Sequence, residues 1–218
     1  QYIKLAQAVE PHIHPQGMVL DVGANIGYFT KILTEVTNFR GAVHMFEPVP
    51  HLARIIPTTL SNANFDFQVH NIGLSDSPAE LTLYVDLTGN LGWNTLVADK
   101  ANEGMKEITI SVQPFGSLNL KHVPTFIKID VEGHELAVIR GARKLLSTHK
   151  PFVLCEYNPR TAMAAGWNAL DLRNEIENAM GACQFTVMHY DAPPTEFPPN
   201  PNSGDIVDIL VRPLAVDV

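Results

Sequence analysis

A glycine turn that directly follows an apolar segment is the part of this sequence with the clearest chemical potential. Residues 19–29 read Val-Leu-Asp-Val-Gly-Ala-Asn-Ile-Gly-Tyr-Phe, a pattern typical of a buried strand that runs into a glycine turn and then a helix. Glycine lets the backbone pass close to a ligand because it has no Cβ. The first N–H groups of a helix are free to bind a polar or anionic group. We therefore expect a nucleoside-containing cofactor at this turn.

The spacing of the two glycines distinguishes between two classes of cofactor. Dinucleotide-binding turns carry Gly-x-Gly-x-x-Gly, whereas Gly23 and Gly27 are spaced Gly-x-x-x-Gly. This difference favours S-adenosylmethionine over a nicotinamide cofactor. We expect the turn to surround the methionine part of the cofactor, with the Asp21 carboxylate pointing into the same crevice. The predicted cofactor contacts in this segment are Asp21, Gly23, Asn25, Gly27 and Tyr28.

A polar or acidic residue stands at the end of each of the first five predicted strands. In an open parallel sheet, ligands bind at the carboxyl ends of the strands, so these side chains should face one crevice. Glu47 ends the second predicted strand, and its carboxylate would accept both ribose hydroxyls as a bidentate pair. Asn71 and Leu74 follow the third strand, and we expect them to frame the adenine, one by hydrogen bonding and one by packing.

The fourth predicted strand ends in a group of titratable residues. Asp130 and Glu132 leave the strand at the crevice. Two negative charges so close to each other raise the pKa of one of the two carboxyl groups, which suits a proton acceptor. His134 is a further candidate because its ordinary pKa is about 6.5. We predict Asp130, His134 and Glu132, in that order, as the catalytic base, and Asp130 also as a cofactor contact. Lys128, in the same strand, is expected at a covered edge and paired with a carboxylate.

The same strand ends allow a metal-dependent alternative. Asp130, together with Glu156 and Asn158 after the fifth predicted strand, would form an oxygen-rich site for Mg²⁺. The favoured interpretation is a polar pocket without a metal, because the same residues would line such a pocket equally well. Full activity in excess chelator would rule out the Mg²⁺ alternative.

Strand-like and helix-like segments alternate along the chain, which predicts an α/β fold with a doubly wound, mostly parallel sheet. The last two predicted strands, 184–189 and 206–211, have no helix between them, which favours an antiparallel pair. We therefore predict a Rossmann-like sheet of seven strands, one of them antiparallel. Two segments with period-two alternation in residues 80–113 predict an inserted β-hairpin.

Length and composition indicate a single domain. The chain has 218 residues, of which 45% are hydrophobic and 17% charged, and this fits one globular domain over 1–218. The domain is expected to begin with a leading helix in 1–16. Residues 191–205 carry five prolines and should form a loop without regular structure. We expect this loop and the loop 86–106 to wall the substrate.

Charge and cysteine usage restrict the partners and the compartment. The net charge of −8 argues against a nucleic-acid partner. No apolar run approaches the roughly 20 residues that cross a bilayer, so we expect no membrane partner. Cys155 and Cys183 lie in apolar segments and are predicted to be buried free thiols, which favours a cytoplasmic location. A small molecule or a peptide is the expected partner, and the oligomeric state stays open.

Four segments of the sequence resemble FkbM-type methyltransferases, which belong to the class I S-adenosylmethionine-dependent enzymes. They are 19–30, Phe-Glu-Pro at 46–48, Asn-Ile-Gly-Leu-Ser-Asp at 71–76, and Phe-Ile-Lys-Ile-Asp-Val-Glu-Gly-His-Glu at 126–135. The segment Gly92-Trp93-Asn94-Thr95-Leu96 also resembles part of that family. The resemblance implies the cofactor, a single Rossmann-like class I domain, and methyl transfer.

The resemblance leaves the methyl acceptor open, because family members act on hydroxyls of varied natural products and sugars, and others on nitrogen. We predict O-methylation of a hydroxyl on a small natural product or sugar. N-methylation of a small molecule or peptide is one alternative. A non-catalytic scaffold that binds S-adenosylmethionine is the other, and binding without any transfer would favour it.

Overall fold

The computed structural model is an α/β protein with seven α-helices in its described part. The described residues are 2–86, 94, 96, 105–118, 120, 122–189, 192–199 and 204–214. The α-helices are α1 (Tyr2–Val9), α2 (Tyr28–Val36), α3 (Pro50–Thr59), α4 (Glu135–Gly141), α5 (Arg143–His149), α6 (Pro159–Ala164) and α7 (Ala169–Met180). Short 3-10 helices at Glu10–His12 and Phe115–Ser117 complete the helical structure described here.

Eleven strands form two sheets in the described part of the chain. The main sheet contains β1 (Met18–Val22), β2 (Ala42–Phe46), β3 (Asp66–His70), β7 (Pro124–Ile129), β8 (Phe152–Tyr157), β9 (Cys183–Met188), β10 (Thr195–Glu196) and β11 (Val207–Pro213). Its strand order is β10-β9-β11-β8-β7-β1-β2-β3. The smaller sheet contains β4 (Gly73–Leu74), β5 (Ala79–Asp86) and β6 (Met105–Gln113), in the order β4-β6-β5.

The main sheet confirms the predicted doubly wound α/β class but differs in strand count. Strands β1, β2, β3, β7 and β8 are parallel, and β11 is antiparallel to both β8 and β9, as the missing crossover helix predicted. The sheet has eight strands rather than seven, and two run in reverse, because β10 pairs antiparallel with β9 at the edge. This strand lies within the Pro-rich segment 191–205, so the prediction that the segment lacks regular structure is wrong. An edge position tolerates prolines, which cannot donate to a ladder.

The smaller sheet contains the predicted inserted hairpin. β5 and β6 pair antiparallel from Ala79↔Val112 to Asp86↔Met105. β4 adds a third strand parallel to β6, which the sequence did not predict. Most of the predicted substrate loop 86–106, including Gly92, Trp93 and Thr95, lies outside the described residues.

The middle of the main sheet is covered on both faces, which explains its near-continuous apolar strands. All five residues of β1 are buried. One face packs against α1, α2 and α3, and the other packs against α4, α5 and α7. Lys128 belongs to β7, between β1 and β8, so it lies in the middle of the sheet and not at a covered edge. The sheet order brings two carboxylates, Asp21 and Asp130, close to Lys128 in the middle of the sheet.

Two further features concern the helices and the cysteines. No helix in the described ranges combines the length and the apolar character needed to cross a membrane. Cys155 and Cys183 are free and buried, as predicted.

Candidate active site

A cavity of about 320 Å³ opens at the carboxyl ends of β1, β2, β7 and β8. Its walls come from the turn between β1 and α2, the end of β2, the segment that follows β7, the smaller sheet and the first residue of α1. The volume falls within the roughly 300–1,000 Å³ typical of small-molecule sites. Of the predicted cofactor contacts, Gly23, Asn25, Tyr28, Glu47, Leu74 and Asp130 line the cavity.

The glycines of the turn are required by strand and helix packing. Gly23 has a φ of +77°, and a Cβ there would lie 1.8 Å from the carbonyl oxygen of Asp130. The close neighbour of Gly23 is therefore the backbone of Asp130, directly after β7, which corrects the expectation that the missing Cβ makes room for a ligand. Gly27 is the N-cap residue directly before α2 and has a φ of +81°, and a Cβ there would lie 3.2 Å from Ile56 Cγ2. Gly27 is not part of the cavity lining.

Glu47 presents a fixed carboxylate to the cavity. Its Oε2 accepts a hydrogen bond from the Asn25 N–H at 2.8 Å, and its Oε1 accepts one from the Val49 N–H at 2.8 Å. Burial raises the pKa of Glu47 to about 7, although these two N–H donors act to lower it. A carboxylate offers about four acceptor positions. Two therefore stay available for hydroxyl groups of a ligand.

A buried lysine joins the ends of β1 and β7. Lys128 Nζ lies 3.4 Å from Asp21 Oδ1 and 3.2 Å from Asp130 Oδ2, and it donates to the Gly23 carbonyl oxygen at 3.0 Å. Burial acts to lower the pKa of Lys128, but Asp130 and Asp21 more than offset it, so its pKa lies well above the ordinary value. Lys128 is therefore a permanent cation that fixes the glycine turn and the Asp130 carboxylate.

Asp21 lies beneath the cavity and does not line it. Its side chain is fully buried, and its Oδ2 accepts a hydrogen bond from Thr30 Oγ1 at 2.6 Å. This corrects the prediction that its carboxylate points into the crevice. The other oxygen of Asp21 lies beside Lys128. Asp21 therefore supports the turn from below, as the counter-charge to the lysine.

Three carboxylates lie together on one wall of the cavity. Oxygens of Asp130, Glu132 and Glu156 are within 4.8 Å of one another. Burial, reinforced by the Asp130 charge, raises the pKa of Glu132 to about 8, and the same two causes raise that of Glu156 well above its ordinary range. Asn158, the third member of the predicted Mg²⁺ set, does not join them. Its side chain accepts from the Arg160 N–H and caps α6.

This crowding gives Glu132 a testable effect on stability. Its pKa is raised from 4.5 to about 8, so the folded protein holds this proton more tightly than the unfolded chain. The free energy of unfolding should therefore fall as pH rises from about 5 to 8. The substitution Glu132→Gln removes the titration, so we expect its stability relative to wild type to increase across this range and to level off above it. Urea unfolding at a series of pH values measures the difference.

The control for this experiment is Glu107→Gln, since Glu107 is an exposed glutamate on β6. Its stability relative to wild type should stay constant between pH 5 and 8. A constant difference for Glu132→Gln as well would contradict the prediction.

His134 lines the cavity at the start of α4. Its Nε2 lies 3.0 Å from the hydroxyl oxygen of Ser75. Burial lowers the pKa of His134 below 6.5, partly opposed by the negative charge of Asp76. The imidazole is therefore largely neutral at pH 7 and keeps one nitrogen lone pair that can accept a proton.

Asn71 and Leu74 take different positions. Leu74 lines the cavity, where its side chain can pack against a ligand. The Asn71 amide donates to the carbonyl oxygens of Glu47 and Pro48, at 2.9 and 3.0 Å, and is not part of the lining. Asn71 thus fixes the backbone around Glu47, and its predicted contact with adenine is not supported by this placement.

Sequence reasoning missed two residues that shape the site. Tyr2 of α1 lines the cavity, with its ring edge-on to Tyr28 at 6.0 Å and to Phe29 at 6.1 Å. Burial, followed by the Asp130 charge, raises the pKa of Tyr2 to about 12. No motif surrounds Tyr2, so the sequence offered no signal for it.

Glu135 is the second missed residue, and it acts from below the cavity. Its carboxylate accepts hydrogen bonds from the N–H groups of Val131 and Gly133, at 3.1 and 3.0 Å, while Trp167 donates to the Gly133 carbonyl oxygen at 3.0 Å. Together they hold the turn that carries Glu132. An acidic residue in the first turn of a helix was the available signal, because such residues bind free N–H groups.

The sheet order and the cavity define a class: a Rossmann-like α/β domain with a small-molecule site at the carboxyl ends of its parallel strands. The family model described as "Methyltransferase FkbM domain" matches residues 21–187. The chain belongs to this family. A comparison with curated proteins finds no match.

Solved structures show the same fold. A methyltransferase FkbM from Methylobacillus flagellatus KT is 24% identical, with a TM-score of 0.63 over 90% of this chain and 44% of that one. This chain therefore spans less than half the length of that protein. An O-methyltransferase from Bacillus cereus, solved in complex with SAH, is 14% identical, with a TM-score of 0.54 over 97% of this chain and 80% of that one.

Proposed function

We propose that this chain is a single S-adenosylmethionine-dependent methyltransferase domain that transfers a methyl group to a hydroxyl of a small natural product or sugar. The observation that carries the proposal is the Glu47 carboxylate, which is fixed on the wall of a cofactor-sized cavity in a chain of the FkbM family. The O-methyltransferase with the same fold, solved with SAH, supports the cofactor assignment.

The residues that line the cavity fit S-adenosylmethionine. The two remaining acceptor positions of Glu47 suit the two ribose hydroxyls, and Leu74 offers an apolar surface to the adenine. Asp130, Glu132 and Glu156 line another part of the cavity with carboxyl oxygens, which can accept hydrogen bonds from the polar end of the cofactor. When bound, the cofactor supplies an electrophilic methyl group, and the cavity residues align the acceptor with it.

The geometry favours His134 over the other two candidate bases. Asp130 is held by Lys128 at 3.2 Å, and we assign it to the cofactor. Glu132, with a pKa of about 8, is mostly protonated at pH 7. His134 is neutral and faces the same cavity. A hydroxyl acceptor requires removal of a proton, whereas a neutral amine attacks without a base. The presence of His134 thus supports O-methylation over N-methylation.

Two measurements test the proposed function in sequence. Calorimetric titration with SAH and S-adenosylmethionine should show binding. Transfer of an isotopically labelled methyl group to a panel of neutral glycosides, phenols and primary amines then identifies the acceptor class. Label on a glycoside or phenol supports the proposal, and label only on amines replaces it with N-methylation. Binding without any transfer favours the scaffold alternative, and no binding overturns the proposal.

The substitution Glu47→Gln tests the predicted ribose contact. In glutamine one of the two oxygens becomes an amide NH2, which only donates, so either the Asn25 N–H or the Val49 N–H loses its acceptor, and the charged acceptor for the ribose is lost. Since a hydrogen bond to a charged group contributes about 1.5–3 kcal/mol, we expect SAH affinity to fall roughly 10- to 100-fold. Calorimetry measures the dissociation constant.

The matched control is Glu35→Gln, an exposed glutamate on α2 outside this cavity. It should bind SAH like the wild type. Wild-type affinity in Glu47→Gln, with the fold intact by circular dichroism, would remove Glu47 from the cofactor site.

A further inference from the structure

Ser75 connects the cavity histidine to a carboxylate outside the cavity. Its hydroxyl oxygen lies 3.0 Å from His134 Nε2 and donates to Asp76 Oδ1 at 3.4 Å. Ser75 is only 5% exposed, whereas Asp76 lies at the surface. The backbone of Ser75 is fixed as well, because its N–H donates to the Gln113 carbonyl oxygen at 3.1 Å. Ser75 is not among the residues that line the cavity.

The direction of the hydrogen bond from Ser75 to Asp76 bears on the tautomer of His134. A hydroxyl has one proton to donate, and an ionised carboxylate can only accept. If the Ser75 proton points to Asp76, its oxygen must accept from His134, which requires the proton on Nε2. The lone pair of the neutral imidazole then resides on Nδ1.

We infer that Ser75 is a positioning residue, which holds His134 in the Nε2–H tautomer and leaves Nδ1 to accept the proton of a hydroxyl acceptor. This inference rests on the proposed function. In the step, the acceptor O–H bond breaks and its proton passes to Nδ1, while the acceptor oxygen bonds to the methyl carbon. The carbon–sulfur bond breaks with its electron pair on sulfur, which leaves as a neutral thioether.

Asp76 contributes a favourable charge to this arrangement. Once Nδ1 is protonated, the imidazolium donates from Nε2 to Ser75, and the Asp76 charge stabilises it, consistent with its effect on the His134 pKa. Other titratable groups share the cavity with His134, and one of them, Lys128, has a charge opposite in sign to that of Asp76. They include Glu47, Lys128, Asp130, Glu132 and Glu156. Ser75 is distinguished from them by its direct contact with the imidazole.

The tautomer is measurable without any turnover. Long-range ¹H–¹⁵N spectra of ¹⁵N-histidine-labelled protein distinguish the two tautomers, and the variant His134→Gln assigns the signal. We expect the Nε2–H tautomer in the wild type and a mixture of tautomers in Ser75→Ala. The control is Ser77→Ala, since the Ser77 hydroxyl also donates to Asp76, at 3.0 Å, and is exposed. Its spectrum should match the wild type.

Kinetics on a glycoside or phenol from the acceptor panel give the second measurement. We expect Ser75→Ala to lower kcat about tenfold or more, with KM for S-adenosylmethionine unchanged and Ser77→Ala like the wild type. An Nδ1–H tautomer in wild-type protein overturns the inference, and so does an unchanged kcat in Ser75→Ala. The His134 tautomer in the wild-type spectrum tests the inference even if Ser75→Ala fails to fold. Failure of the proposed function shows separately, as wild-type protein that neither binds SAH nor transfers a methyl group.

Discussion

Gly23→Ala is expected to destabilise the protein by roughly 2–6 kcal/mol, from a left-handed backbone and an overpacked contact together. The added Cβ would lie 1.8 Å from the Asp130 carbonyl oxygen, and that neighbour is backbone rather than a flexible side chain. Relief of the overlap requires β1 and β7 to separate. The strand ends that hold Lys128 between its two carboxylates would separate with them. Urea denaturation gives the free energy of unfolding.

The matched control is Gly166→Ala. Gly166 has a φ of +82°, close to the +77° of Gly23, but no atom within 4 Å of its added Cβ. The variant Gly166→Ala therefore has the backbone strain without the overlap. We expect it to lower the free energy of unfolding by about 1–2 kcal/mol. The difference between the two variants isolates the contact between the strands. Equal losses would contradict this account. A stable Gly23→Ala that has lost only SAH binding would restore the ligand-contact explanation.

The comparison of Gly23 with Glu47 explains which parts of the site the sequence could predict. Glu47 directly follows an apolar strand, and the rule that ligands bind at carboxyl ends placed it correctly on the cavity wall. The neighbour of Gly23 is Asp130, far along the chain, and no local pattern specifies such a contact. The sequence therefore predicted that Gly23 lacks room for a side chain, but not what occupies that room.

Asp21 and Lys128 show a related limit. Alternation of side chains indicates direction only when one face of a sheet is exposed. Both residues lie in strands that are buried on both faces, so periodicity could not show where they point. The adjacent positions of β1 and β7 place Asp21 opposite Lys128, and this order depends on crossover connections. The ion pair was predictable from the cost of burying a charge, but its place in the middle of the sheet was not.

The fold class was predictable because it depends on features repeated along the chain. Alternating strands and helices, and the absent helix before β11, were enough for a doubly wound sheet with an antiparallel neighbour. The eighth strand, β10, consists of two residues between prolines, too short for any periodic pattern. It pairs antiparallel with β9 at the edge of the main sheet. Tertiary pairing with β9 thus gives a strand to a segment whose local sequence disfavours one.

Lys128→Met is expected to lower the free energy of unfolding by about 3–5 kcal/mol, because it leaves a buried carboxylate without its cation. The side chains of Lys128 and Asp21 are 6% and 0% exposed, so solvent compensates only weakly for the loss of the ammonium. Methionine replaces the four-carbon stem of lysine atom for atom and removes the ammonium, and with it the charge and the hydrogen bond to Gly23. The same variant should weaken SAH binding, since that bond fixes the turn. Urea unfolding and calorimetry measure the two effects.

Two further variants separate charge loss from general damage. Lys144→Met removes an exposed lysine of α5 and should leave stability within about 0.5 kcal/mol of the wild type. Asp21→Asn combined with Lys128→Met removes the fully buried one of the two carboxylates that lose their cation, so the double variant should be more stable than Lys128→Met alone. This recovery follows only if the uncompensated carboxylate causes the loss. If the double variant lost as much stability as the two single variants together, the loss would come from packing. The ion pair would then not be what joins the ends of β1 and β7.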